Sequence, residues 1–259
     1  MGKRSRAPLA GEDQVFEVKT DDNPARVQRN PADAAVMPVF RVLDLARWRR
    51  RMASFGYQPV AHRATRWGET LFFRGPDNLV TGFEERSQVS PLESDRRAKA
   101  RQKAVPFRLG GLPALPDGLH CLSRAIRKVA DVPAITCFYR ECIGFQYIGT
   151  ESGSELFALG HDTVLEIAPG GKASPEPDDR SRLPDSFVLR IHDLDEQVAG
   201  LPMRGAKLKG PIIIKEETTR LQFVPDPEGW IFGIEERDLL RERYIDDVEA
   251  ERRWRAGHK

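Results

Sequence analysis

The residues best placed to do chemistry are a few charges at strand-like spacing. In SRAIRKV (residues 123–129), alternation puts Arg124, Ile126 and Lys128 on one face of a strand. In SFVLRIHD (186–193), it groups Ser186, Val188 and Arg190. Glu166, in VLEIAPG, is the carboxylate of another strand-like run. Two arginines, a lysine and a carboxylate on a shared surface would suit an anionic or polar aromatic small molecule. Cations near strand ends can instead carry their heads out to water and form no site. The residues alone leave both readings open.

Other familiar chemistry is missing. There is no GxSxG, no P-loop and no GxGxxG opening a helix. The thiols Cys121, Cys137 and Cys142 are odd in number and lack CxxC spacing, which fits free cysteines in a reducing cytoplasm. Lys plus Arg total 41 and Asp plus Glu total 39, so net charge gives no reason to expect nucleic acid as partner. No apolar run approaches the roughly 18 residues of a membrane span, and the basic N-terminus does not read as a secretory signal.

The elements that would position these residues recur three times. A strand-like run ends at Asp44, Asp131 and Asp193, each suited to cap a helix. Apolar residues then follow at spacings of three and four: Leu45, Trp48, Met52 and Phe55; Ile135, Phe138, Tyr139 and Cys142; Leu194, Val198 and Leu201. Each helix pattern stops at a glycine, Gly56, Gly144 or Gly205, twelve, thirteen and twelve residues after its Asp. Strand-like runs close each copy. The endings GPDNLVTGFEER and DPEGWIFGIEER are alike. The expected architecture is α+β: repeated βαβββ modules forming a cupped mixed sheet with helices outside.

KVADVPAITCFYRECIGFQYIG (128–149) and VPDPEGWIFGIEE (224–236) resemble the opening and closing signatures of the vicinal oxygen chelate superfamily, which includes glyoxalases, bleomycin-resistance proteins and extradiol dioxygenases. The resemblance implies two modules joined in an eight-stranded cup that holds a divalent metal and the substrate. On this reading the chain divides into an N-terminal extension (1–35), a single module (36–88), a linker (89–118), a paired-module domain (119–238) and a C-terminal helix (239–259). The lone first module needs a partner: the strand-like QVFEVKT, the paired domain, or another subunit in a homodimer or larger assembly.

The resemblance also implies metal ligands: a His seven residues before each Asp, and a Glu on each closing strand. Counting back gives Met37, Arg124 and Ser186. The closing strands offer Gly82, Glu166 and Gly233 at the Glu position. Only Glu166 survives, so the usual metal is not expected. The glycines would enlarge the cavity, giving a ligand-binding set of Arg124, Lys128, Glu166, Ser186, Arg190 and Gly233. A slipped register around Arg127, awkward on the core side, would bring His120 toward Glu166. His161 or His192 would then complete a rearranged site for Fe, Mn, Ni or Zn. Three functions follow: a metal-free binder of a small polar or anionic molecule or a subunit of an assembly; a metal-dependent lyase, isomerase or dioxygenase around Glu166; or a purely structural protein.

Overall fold

A computed structural model describes residues 5–8, 15–18, 36–42, 44–75, 79–86, 119–159, 163–171, 187–191, 193–215 and 219–237. The expected linker at 89–118 and C-terminal helix at 239–259 lie outside the described residues, as do Ser186, His161 and His192. A short hairpin, β1 (Ser5–Pro8) and β2 (Val15–Val18), forms a sheet of its own. Among the described residues, these two strands pair with no strand of the first module.

The order strand, helix, three strands then occurs three times. The first unit has β3 (Val36–Val42), α1 (Leu45–Ser54), β4 (Pro59–Thr65), β5 (Gly68–Arg74) and β6 (Val80–Arg86). The second has β7 (Leu119–Val129), α2 (Val132–Cys137), β8 (Gln146–Glu151), β9 (Ser154–Ala158) and β10 (Val164–Pro169). The third has β11 (Val188–Arg190), α3 (Leu194–Gly200), β12 (Lys209–Lys215), β13 (Thr219–Pro225) and β14 (Ile231–Arg237).

The caps behave as their residue types require in two of the units. Asp44 accepts the Arg47 N–H at 2.7 Å and Asp131 the Ala134 N–H at 3.0 Å. Asp193 instead has a φ of 57° and caps nothing with its side chain. All three helices run on to a left-handed glycine, with φ of 86° at Gly56 and 89° at both Gly144 and Gly205. The longer interval in the second unit has a cause: a π-helical turn, Phe138–Ile143, follows α2 and takes up the extra residue.

Module pairing differs from the sequence expectation. One eight-stranded sheet runs β4-β5-β6-β3-β7-β10-β9-β8, so the first unit joins the second. The seam is antiparallel, with Val39 opposite Arg124. The third unit keeps a separate four-stranded sheet, β11-β14-β13-β12. Strand length accounts for this choice. The seven residues of β3 and eleven of β7 can form a long ladder, whereas β11 has three. Residues 36–88 thus find their partner within the chain, and the third unit is the one left without a sheet partner among the described residues.

The third unit packs instead on the outer face of the second. Phe138, Tyr139, Leu194, Val198, Trp230 and Phe232 belong to one buried cluster. Arg127 does lie on this core side, and no slipped register relieves it. Its Nη2 meets Asp226 Oδ2 and Glu228 Oε2, each at 3.3 Å, and its guanidinium lies 5.1 Å from the Trp230 ring centroid. Glu228 also accepts the Ala130 and Asp131 N–H groups at 2.7 and 2.8 Å. The acidic turn of the third unit therefore clasps the start of α2. In the first unit, Leu45, Trp48 and Met52 pack on Phe40, Phe73 and Phe83, with Trp48 stacked on Phe83 at 4.6 Å. Phe55, expected in that stripe, sits at the C-cap and is 67% exposed.

Candidate functional site

The centre of the eight-stranded cup is built from inward-facing residues on both sides of the β3–β7 seam. Gly82 stands beside Val39, and Val164 beside Arg124, Val39 and Arg124 being partners across the seam. Two residues further along each closing strand come Glu84 and Glu166. The carboxylate of the first unit's closing strand is therefore Glu84, two places beyond the glycine at which the sequence count stopped.

Arg124 is fully buried between these carboxylates. Its Nε donates to Glu84 Oε1 at 3.0 Å, and its Nη1 to Glu151 Oε2 at 2.9 Å and Glu166 Oε2 at 3.1 Å. Arg63 reaches in from β4 and holds Glu166 at two points, 2.7 and 2.8 Å. Arg86 donates from Nε to Glu84 Oε2 at 2.9 Å and from Nη2 to Ser123 Oγ at 2.8 Å. The Ser123 hydroxyl donates to Glu84 Oε2 in turn. Ser123 can face the cup because the ladder skips it: Val39 pairs with Arg124 and Phe40 with Leu122. A bulge at Ser123 thus re-aims one side chain.

Both ends of this ionic centre are closed by packed side chains. Trp67, 3% exposed at the tip of the β4–β5 hairpin, lies against Arg124 and Arg86, with guanidinium carbons 4.6 and 5.3 Å from its ring centroid. Gly68 permits that turn, since a Cβ there would stand 1.9 Å from the Glu85 carbonyl oxygen. The Arg66 N–H donates to Glu151 Oε1 at 3.0 Å, tying the hairpin tip to β8. At the other end Val39, Phe72, Ile126 and Ala168 form an apolar plug, with Met37 packed against it.

Electrostatics hold the cluster ionised. Burial opposes charge on Glu84, but Arg86, Arg124 and the Ser123 hydroxyl outweigh it and set its pKa at about 2. Burial likewise opposes charge on Glu166, and Arg63 and Arg124 lower its pKa nonetheless. Desolvation weakens the hold of Arg124 on its proton, yet Glu84, Glu166 and Glu151 raise its pKa overall.

Of the residues singled out in the sequence, the fold brings Arg124 and Glu166 together. Lys128, half-buried, lies further along β7 beside Ala168. Gly233 and Arg190 belong to the separate third sheet. Neither glycine enlarges a cavity. A Cβ at Gly82 would meet Val39 at 2.9 Å and Phe72 at 3.1 Å, and one at Gly233 would meet Leu221 at 2.9 Å and Val188 at 3.1 Å. The backbone of His120 lies in β7 at a second register shift, and its side chain is outside the described residues. Arg63, Trp67, Glu84, Arg86, Ser123 and Glu151 escaped sequence reasoning. Alternation from Gly82 to Glu84 was the one available signal.

A metal site does not fit these residues. Met37 and Arg124 stand where the resemblance asks for imidazoles. Glu166 gives one oxygen to Arg63 and the other to Arg63 and Arg124. Among the described residues, no group of three or more His, Cys, Asp or Glu side chains is placed to hold an ion. Two concave spaces lie outside this centre. A groove of about 550 Å³ runs between α1 and β4, lined by Arg49, Val60, His62 and Leu71 among others. An apolar cavity of about 60 Å³ lies between the second and third units, lined by Ile143, Phe145, Leu189 and Leu201 among others.

No family model and no curated protein matches the sequence. Solved structures do resemble the fold. A Bacillus subtilis subsp. subtilis str. 168 protein described as a "putative dioxygenase" aligns with a TM-score of 0.56 at 12% identity, over 80% of this chain and 63% of that one. This chain thus spans about three fifths of that protein's length. A glyoxalase family protein from Bacillus anthracis aligns at 0.39 and 16% identity, over 48% of this chain and 100% of its own. An antibiotic binding protein, TnmS3 from Streptomyces sp. CB03234, aligns at 0.37 and 23%, over 45% and 94%. The architecture is that of the vicinal oxygen chelate fold.

Proposed function

We propose that this chain is a vicinal-oxygen-chelate-fold protein that works without a metal, its cup serving as a rigid scaffold within an assembly and not as a reaction chamber. One observation carries this reading: Arg124, fully buried, occupies the cup centre and engages Glu84, Glu151 and Glu166. A lyase, isomerase or dioxygenase built around Glu166 has both oxygens of that residue against it, since arginines already use them. The dioxygenase description of the Bacillus subtilis protein therefore gives this chain no catalytic role that its own residues support.

A second reading is a binder of a small polar or anionic molecule. The groove beside α1 favours it, because about 550 Å³ falls within the roughly 300–1,000 Å³ usual for ligand sites. Arg49 on its wall would meet an acidic group, and Glu69 and Glu85 in the same lining would meet a polar one, Glu69 lying 3.6 Å from His62. The free thiols Cys137 and Cys142 fit a reducing cytoplasm, and no described helix is long and apolar enough to cross a membrane.

Elemental analysis of the purified chain, with light scattering for its assembly state, tests the proposal. The expected result is no stoichiometric iron, manganese, nickel or zinc. Stoichiometric metal that disappears in Glu166→Ala would reverse the reading in favour of an enzyme.

A further inference from the structure

The oxygens around Arg124 are arranged for a flat cation. Two of them, from Glu151 and Glu166, meet at the same nitrogen, Nη1, at 2.9 and 3.1 Å. The third, from Glu84, meets the neighbouring Nε at 3.0 Å. They take two of the three guanidinium nitrogens, Nη2 being buried without a hydrogen-bond partner, and the Trp67 ring centroid lies 4.6 Å from the guanidinium carbon. Edge acceptors with an aromatic face are what a planar, delocalised cation requires. Calcium or magnesium asks instead for oxygens surrounding a point at about 2.0–2.6 Å, with no role for an indole.

We infer that the cup centre is a seat for a guanidinium cation, filled from within by Arg124, and that a chain lacking this side chain takes up a free alkylguanidinium but no divalent metal. The inference rests on the metal-independent reading above and adds the chemistry of the cation. Because Glu84, Arg63 and Trp67 come from the first unit and Arg124, Glu151 and Glu166 from the second, the seated cation also fastens the two units together.

The test is thermal unfolding of full-length Arg124→Ala with low-millimolar methylguanidinium, against urea, tetramethylammonium, calcium and manganese. Methylguanidinium is expected to raise Tm saturably, by roughly 3–6 °C at a tenfold excess over its dissociation constant. The other additives, and the native chain, are expected to show no such rise. Failure of methylguanidinium to stabilise the variant, or equal stabilisation by calcium or manganese, overturns the inference. Should the variant not fold, it is refolded with each additive, and recovery with methylguanidinium alone is the supporting result. No recovery, or recovery with a metal, counts against. Metal content of the native chain judges the earlier proposal separately.

Discussion

Arg63 on β4 and Glu166 on β10 form a two-point ion pair, at 2.7 and 2.8 Å, that joins strands 103 residues apart. Parallel N–H donors on a carboxylate are the strong form of this contact. Glu166 must also satisfy Arg124, so its removal leaves a fully buried cation with Glu84 and Glu151 alone, whereas Arg63 is 28% exposed and can turn to water.

Glu166→Gln is therefore expected to lower the unfolding free energy by about 3 kcal/mol, and Arg63→Ala by about 1 kcal/mol. Urea unfolding at pH 7 measures both. Equal losses would mean that Arg124 does not depend on Glu166.

Acid should loosen the cup. Glu84 has a folded pKa of about 2 against an ordinary 4.5, so its contribution is complete above about pH 4.5 and disappears as pH falls toward 2. That contribution is about 3 kcal/mol. Glu84→Gln should flatten this part of the stability profile, measured as urea midpoints between pH 7 and 3. Asp226 runs the other way: burial raises its pKa despite Arg127, so its ionisation costs stability as pH rises.

Trp67→Ala should cost about 3–5 kcal/mol, the usual range for deleting a buried aromatic side chain. Gly68→Ala next to it should be comparably damaging, since its methyl would collide with main chain. A Gly68→Ala protein with native unfolding would show that the hairpin tip does not close the cup as described.

Glu228→Ala removes the acceptor of two main-chain N–H groups and a partner of buried Arg127. The third unit should loosen before the eight-stranded sheet does. Limited proteolysis is expected to cut within residues 187–237 first, leaving a resistant core. Cleavage spread evenly over the chain would contradict this.

Much of the local structure was legible in the sequence. Asp44 and Asp131 cap helices and three glycines stop the helical runs, because these depend on neighbours in the chain. Alternation in β7 grouped Arg124 with Ile126, and both are buried in the fold. What failed was long-range. The resemblance implied that the second unit would pair with the third, whereas the eight-stranded sheet joins the first and second. Glu84 was missed because a two-residue offset in β6 put Gly82 in its place. Arg127 looked misplaced because its partners, Asp226 and Glu228, lie about a hundred residues away.

The extra residue at Ser123 makes the length of β7 a specification in its own right. A deletion of one residue there would straighten the strand and carry Leu119–Leu122 one step along β3, exchanging their two faces. Arg124 would keep its place opposite Val39, but Glu84 would lose a hydroxyl donor and Arg86 one of its acceptors. In this chain a change of spacing would reach the ionic centre as surely as a change of charge.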